Sequence, residues 1–327
     1  MTDPQLRGEE TLSMTGRSGP VIIGFGEALF DLFPHGAVLG GAPLNFAVHA
    51  HQLLQPLGGA GAILSRIGMD ALGRELHGEL SRRGMTSRYV QVDPEHRTGT
   101  VTVTLAGREP HYEIARDVAW DYIEFNDQVE DLAHACKAVC FGTLAQRSVV
   151  GRATLHRFLK AAAGALRLFD VNLRQSYYSP ELLHESCINA TAVKLNEHEC
   201  LVIARALQLP AAYDDPDRCL SSLMDRYRSL HVVALTRGAR GTVLFTRAGR
   251  FEGQVPSFPN QRNANSVGAG DACSAAIAVG MVLGWPGRQI VDLANSLGAY
   301  TAASAGATPT LPESLLRMVR VNAAESG

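Results

Sequence analysis

The run Asn265-Ser266-Val267-Gly268-Ala269-Gly270-Asp271 leads directly into the small residues Ala272-Cys273-Ser274-Ala275-Ala276. A glycine-rich turn that opens a helix aims unpaired N–H groups and the positive end of the helix dipole at one point, an arrangement that holds phosphate. An aspartate beside such a cradle is a poor phosphate ligand, because like charges repel. It suits a different task, taking the proton of a hydroxyl that attacks the phosphorus. Asp271 is therefore the candidate catalytic base, with Gly268, Ala269 and Gly270 supplying the N–H groups. The plainer reading is that the glycines permit a tight turn and Asp271 caps the helix.

Other polar residues stand where strands end. Val21-Ile22-Ile23-Gly24-Phe25-Gly26 reads as a buried parallel strand closed by glycines, with Glu27 and Asp31 just beyond it and Gly40, Gly41 and Asn45 at the start of a helix running to Leu54. Carboxylates and amides suit polyols, whose hydroxyls both donate and accept. Asp170-Val171-Asn172-Leu173-Arg174 follows the strand 166–170, and Asn196 to Glu199 follows the strand 193–195. The C-terminal ends of strands in an open α/β sheet are where ligands bind.

Positioning these residues requires alternating strands and helices. Strands are predicted at 62–67, 138–141, 232–236 and 242–245, and helices at 71–83, 149–163, 269–283 and 289–305. The alternation of Thr and apolar residues over 100–105, then Tyr112-Glu113-Ile114, breaks that pattern as half-buried antiparallel strands do. Residues 98–123, with 29–39, are expected to form a small β lid over the sheet edge. Residues 1–19 are expected to be a disordered tail, leaving 20–327 as one α/β domain.

The chain has 327 residues, 46% of them hydrophobic, and a formal net charge of −2, which supplies no long-range pull towards nucleic acid or anionic lipid. Six cysteines show neither a CxxC pair nor zinc spacing and read as reduced, buried thiols. No apolar run reaches the roughly 18 residues of a membrane span, and the first residues lack a signal-peptide core. A cytoplasmic protein with small-molecule partners is the expectation.

Taken together, the motifs resemble the PfkB, or ribokinase-like, carbohydrate kinases, whose signature is close to Asp-Thr-x-Gly-Ala-Gly-Asp. Here Asn265 and Ser266 stand at its first two positions, and Asn265 removes a charge that the family places near the metal. The N-terminal glycines with Asp31 and Asn45, the segment 67–73, Asp-x-Asn-x-Arg at 170–174, Asn-x-x-Glu at 196–199 and Thr-x-Gly-x-x-Gly at 236–241 match further family motifs in order. The segments 110–114, 118–121 and 141–147 resemble the fructokinase-like branch.

The resemblance implies a ribokinase-like fold, a central mainly parallel sheet flanked by helices with a small β lid, and ATP-dependent phosphorylation of a sugar hydroxyl, fructose or a related ketose first. Ribose, 2-keto-3-deoxygluconate or a nucleoside are alternative acceptors. It places Asp31, Gly40, Gly41, Asn45, Arg174 and Asp271 at the sugar. It places Asn196, Thr236, Gly238, Gly241, Gly268, Gly270, Ala303 and Gly306 at ATP. Glu199 and Asn196 are placed at Mg²⁺ through water. A K⁺ requirement and a homodimer stay open.

Three other readings compete. A dinucleotide-dependent oxidoreductase fails on spacing, because the third glycine of G-x-G-x-x-G would fall at Leu29. A P-loop kinase lacks G-x-x-x-x-G-K-[ST]. A non-catalytic sugar or nucleotide sensor is motivated by Asn265 and opposed by Asp271.

Overall fold

Successive residues of a strand face opposite ways, so a strand that is apolar throughout must be covered on both sides. The computed structural model describes residues 19–34, 36–106, 109–209 and 215–326, so the expected tail lies almost wholly outside the described residues. Thirteen strands are present: β1 (Val21–Phe25), β2 (Leu29–Phe33), β3 (Gly36–Gly40), β4 (Ala60–Gly68), β5 (Val90–Asp93), β6 (Gly99–Ala106), β7 (Glu109–Ile114), β8 (Ala138–Phe141), β9 (Leu166–Asp170), β10 (Ala192–Asn196), β11 (Val232–Thr236), β12 (Thr242–Thr246) and β13 (Gly249–Glu252), among the described residues. The helices are α1 (Ala42–Leu54), α2 (Ala71–Arg82), α3 (Asp127–Ala135), α4 (Val149–Ala161), α5 (Pro180–Asn189), α6 (Glu197–Ala206), α7 (Pro216–Arg226), α8 (Ala269–Val282), α9 (Gly287–Ala302) and α10 (Glu313–Ser326).

Nine strands form one sheet in the order β13-β12-β11-β10-β9-β8-β1-β4-β5, with β12 alone running against the others. Ile23, Val139, Phe169 and Val193 face a core built with α3 to α7, while Ile22, Cys140, Leu168 and Ala192 face a second core with α1, α8, α9 and α10. The chain leaves β1 towards β4 on one side and returns to β8 on the other. That reversal creates a crevice beyond the C-terminal strand ends. Small residues let α8 lie close against α9: a methyl group on Gly298 would come 2.6 Å from Cys273 Sγ. All six cysteines are buried and free.

Strands β3-β2-β6-β7 form a separate four-stranded sheet. Residues 29–39 supply its antiparallel pair β2 and β3. Beyond Ile114 the chain runs back along the junction of the two sheets, where Val118 and Trp120 are buried with Leu29, Val101 and Ile114 of the smaller sheet and with Leu144, and Asp121 is buried beside them. Arg147 holds that return, with its Nε 2.7 Å from Asp121 Oδ1 and its guanidinium 3.9 Å above the Trp120 ring. Helix α9 stops at Ala302 instead of 305, so the small residues that follow form a turn.

Candidate active site

The polar strand ends converge on the crevice, and α8 begins above them. Gly268 precedes α8 at φ 80°, a left-handed conformation that glycine adopts without strain, and a methyl group there would lie 2.4 Å from Ala307 O. Ala269 N–H bonds back to Ser266 O at 3.2 Å, and Ala272 N–H closes the first turn on Gly268 O at 2.8 Å. Of the expected donors Gly268, Ala269 and Gly270, the Ala269 N–H is thus already engaged, and Asp271 N–H follows Gly270 in the first turn of the helix, where donors lack intrahelical partners.

Asp271 Oδ2 accepts a 2.8 Å hydrogen bond from Asn45 Nδ2 on α1. Burial and the nearby Asp170 carboxylate raise the Asp271 pKa to about 6, while Asn45, Lys194 and Arg174 act in the opposite direction. One turn along α1, His49 Nε2 lies 2.9 Å from Ala307 O, so the same helix face braces both Asp271 and the loop behind Gly268. Burial holds that imidazole neutral, with its pKa lowered to about 4.

Beneath the turn lies a buried ion pair. Lys194 Nζ is 3.1 Å from Asp170 Oδ1, Ser274 Oγ donates to Asp170 Oδ2 at 2.7 Å, and a methyl group on Gly270 would come 3.1 Å from the ammonium. Burial alone would lower the Lys194 pKa, but Asp170, Glu199 and Asp271 outweigh it and hold the group above the usual lysine range. Charge pairing of this kind is what makes a buried ammonium tenable.

On the side of the smaller sheet, burial raises the Asp31 pKa against the pull of Arg174. The glycine pair now has a steric reason. A methyl group on Gly40 would meet Asp31 Oδ2 at 2.8 Å, and one on Gly41, at φ 109°, would meet Glu27 O at 2.4 Å. Arg174 is exposed on the loop after β9, near enough for its charge to favour the ionised forms of Glu27, Asp31 and Asp271. That loop is tied to α6 by Leu173 N–H to Glu199 Oε1 at 3.1 Å and to the smaller sheet by Gln175 Nε2 to Tyr112 O at 3.0 Å. Asn172 and Gln175 in it carry φ of 38° and 47°.

Asn196 and Glu199 form a reciprocal capping box at the start of α6. Asn196 Oδ1 accepts from Glu199 N, and Glu199 Oε2 accepts from Asn196 N at 2.8 Å. With Oε1 on Leu173 N as well, both carboxylate oxygens already hold backbone donors. No group of three or more potential metal-ligating side chains occurs among the described residues. A divalent cation here fits only as one held through water and phosphate oxygens, the mode that Mg²⁺ favours.

On the far side of the turn lies a cleft of about 480 Å³. Thr236, Gly238, Gly241, Gly270 and Ala303 all line it, together with Phe258, Asn260 and Asn295. Gly241 sits at φ 77° with Asn295 and Val255 against it. Gly268, Gly306 and Asn196 stand outside this lining, Gly268 just before α8, Gly306 at φ 78° in the turn after α9 and Asn196 at the end of the neighbouring strand β10. The small side chains of Ala299, Ala302 and Ala303 leave room for a flat ring beside Phe258, so the cleft and the donors at its end fit a nucleoside triphosphate.

Sequence reasoning passed over Lys194 and Ser274, although a lysine within the apolar run Ala192–Leu195 is a signal for a buried acid opposite it. It also passed over Val255, Phe258 and Asn260, which lie in an irregular segment with no periodicity to read.

Comparison with known proteins agrees with this geometry. The family described as pfkB family carbohydrate kinase matches residues 36–314. A fructokinase of Escherichia coli is 30% identical over 311 residues, covering 88% of this chain and 94% of the relative. A sugar kinase of Pyrococcus horikoshii, solved in complex with ATP, superimposes with a TM-score of 0.71 at 26% identity, covering 91% of this chain and 99% of that one. A fructokinase double mutant of Vibrio cholerae in a fructose, ADP and potassium ion bound form gives a TM-score of 0.71 at 22% identity, covering 93% and 99%, a likeness of fold. The chain belongs to the pfkB family of carbohydrate kinases and is an ATP-dependent sugar kinase.

Proposed function

We propose that the enzyme phosphorylates a hydroxyl of fructose or a related ketose, with Asp271 as the base. The observation that carries this reading is the position of Asp271: one residue inside an anion-binding turn, oriented by Asn45, with a proton affinity suited to accepting a hydroxyl proton near neutral pH. Asp31, with Asn45 and Arg174, holds the acceptor at the crevice, while Gly40 and Gly41 give Asp31 and Glu27 their room. Asp271 takes the hydroxyl proton as the hydroxyl oxygen forms its bond to the γ-phosphorus of ATP and the bond to the β-phosphate oxygen breaks, leaving ADP. The Gly270 and Asp271 N–H groups and the dipole of α8 stabilise the charge on the transferring group. The cleft from Thr236 to Ala303 holds the nucleotide. Mg²⁺, when bound, supplies charge neutralisation at the phosphates, and Asn196 and Glu199 orient its water. The four-stranded sheet acts as a lid that keeps water from competing with the sugar.

The fructose preference is supported by the Escherichia coli relative and by the ketose bound in the Vibrio cholerae neighbour. Coupled ADP release with Mg-ATP across fructose, ribose, 2-keto-3-deoxygluconate, tagatose phosphate and adenosine tests it. Turnover that is fastest with fructose is expected. Turnover only with another acceptor would replace the substrate assignment, and ADP binding without sugar-dependent turnover would favour a sensor.

A further inference from the structure

Two glutamates follow strands of the main sheet and are 4% exposed, Glu27 after β1 and Glu199 after β10, yet they differ in one respect. Both oxygens of Glu199 hold backbone N–H groups. Glu27 Oε2 is buried and has no hydrogen-bond partner. A carboxyl retained for structure is bonded as Glu199 is, and leaving a buried polar oxygen empty costs stability without return. Glu27 also forms part of the wall of a small cavity of about 10 Å³, shared with Asp170, Asn172, Gly142 and Cys140. That volume admits one oxygen-sized group.

Geometry sets Glu27 beside the proposed acceptor site. A methyl group on Gly41 would meet its backbone oxygen at 2.4 Å, Asp170 beneath the α8 turn shares its cavity wall, and the charges of Arg174, Asp271 and Arg147 reach it. Asp31 lies four residues further along the chain, across the junction of the two sheets. A hydroxyl is the group that answers this environment, since it donates to a carboxylate and keeps lone pairs for an amide or guanidinium.

We propose that Glu27 binds a hydroxyl of the acceptor sugar, supplying the partner that its Oε2 lacks and helping to select the acceptor. This rests on the sugar-kinase reading of the same site. Sugar recognition is then shared between two carboxyl groups, Asp31 on the smaller sheet and Glu27 on the main one. A polar site built for a particular hydroxyl discriminates strongly against an analogue without it.

Calorimetric titration of wild type and Glu27→Gln with fructose, its single-deoxy analogues and ADP tests the proposal. At pH 8.5, where Glu27 is ionised, Glu27→Gln is expected to weaken fructose binding by about tenfold or more, as for a charge-assisted hydrogen bond reduced to a neutral one. ADP affinity is expected to stay within about twofold. One deoxy analogue, lacking the contacted hydroxyl, is expected to bind wild type and variant alike. Unchanged fructose affinity overturns the proposal. So does an equal loss for every analogue, which marks a bound water, or an equal loss for ADP, which marks a structural role. If Glu27→Gln does not fold, Glu27→Asp, which withdraws the carboxylate, carries the same expectations. Wild type that binds ADP but no sugar contradicts the sugar-kinase reading itself, before any variant is compared.

Discussion

Asn45 donates a 2.8 Å hydrogen bond to Asp271 across 226 residues of sequence, fastening the first turn of α1 to the first turn of α8. The bond favours the ionised form of the proposed base against burial and the Asp170 carboxylate. Removing it in Asn45→Ala raises the Asp271 pKa further above about 6. Because the base must be ionised, the acidic limb of the kcat/KM profile moves to higher pH, by roughly half to one unit. A pH–rate profile from 5 to 9 measures the shift, and a limb that stays in place separates Asn45 from the base.

The two glycine positions carry opposite signatures. In Gly40→Ala the added methyl group presses on Asp31 Oδ2 from 2.8 Å. The KM for sugar is expected to rise by about tenfold with KM for ATP unchanged. In Gly268→Ala the methyl group meets Ala307 O at 2.4 Å from a left-handed backbone. That change is expected to cost about 1–3 kcal/mol of stability and to reduce kcat. Steady-state kinetics and denaturant melts distinguish the two.

Lys194→Met leaves Asp170 buried with Ser274 as its remaining side-chain partner. Breaking a buried pair from one side costs about 3–5 kcal/mol, whereas neutralising both partners costs less. The double variant Lys194→Met with Asp170→Asn is therefore expected to be more stable than Lys194→Met alone. Urea unfolding of the three proteins checks the order, and an equally stable single variant would show that the pair carries little energy.

Glu27 and Asp271 bind protons more tightly in the folded chain, with pKa values raised to about 7 and about 6 from 4.5 and 3.8. Their contribution to stability is thus complete below the unfolded values and is lost as pH rises through the folded ones. Glu27→Gln removes the Glu27 share of that loss. The variant is expected to gain up to about 3 kcal/mol over wild type at pH 8 and little at pH 4.5. Thermal melts at the two pH values test this, and an equal shift at both would assign the effect to packing.

Much of this was legible because particular residues obey local rules. Val21 to Gly26 announces a buried strand and its end, and Gly268 and Gly270 before small residues announce a glycine turn that opens a helix; both elements stand as read. Less legible are positions where one residue also serves tertiary structure. Asn196 and Glu199 are expected at Mg²⁺ from the resemblance, and the 2.8 Å contact of Glu199 Oε2 with the Asn196 N–H adds a capping box that the motif alone does not announce. Trp120 and Asp121 read as part of the insertion, and Trp120 does pack with its strands, but the Arg147–Asp121 pair that fastens them to the main body lies 26 residues away in a contact that no local pattern encodes. The Lys194–Asp170 pair depends on two adjacent parallel strands, so it emerges from register instead of spacing.

The account rests most heavily on Asp271, and single-turnover phosphorylation by Asp271→Asn is its most direct test. The predicted result is a fall in rate of roughly 10²–10⁴-fold, with sugar and ADP still binding at near wild-type affinity. Turnover within a few fold of wild type in the purified variant would contradict the assignment of Asp271 as the base.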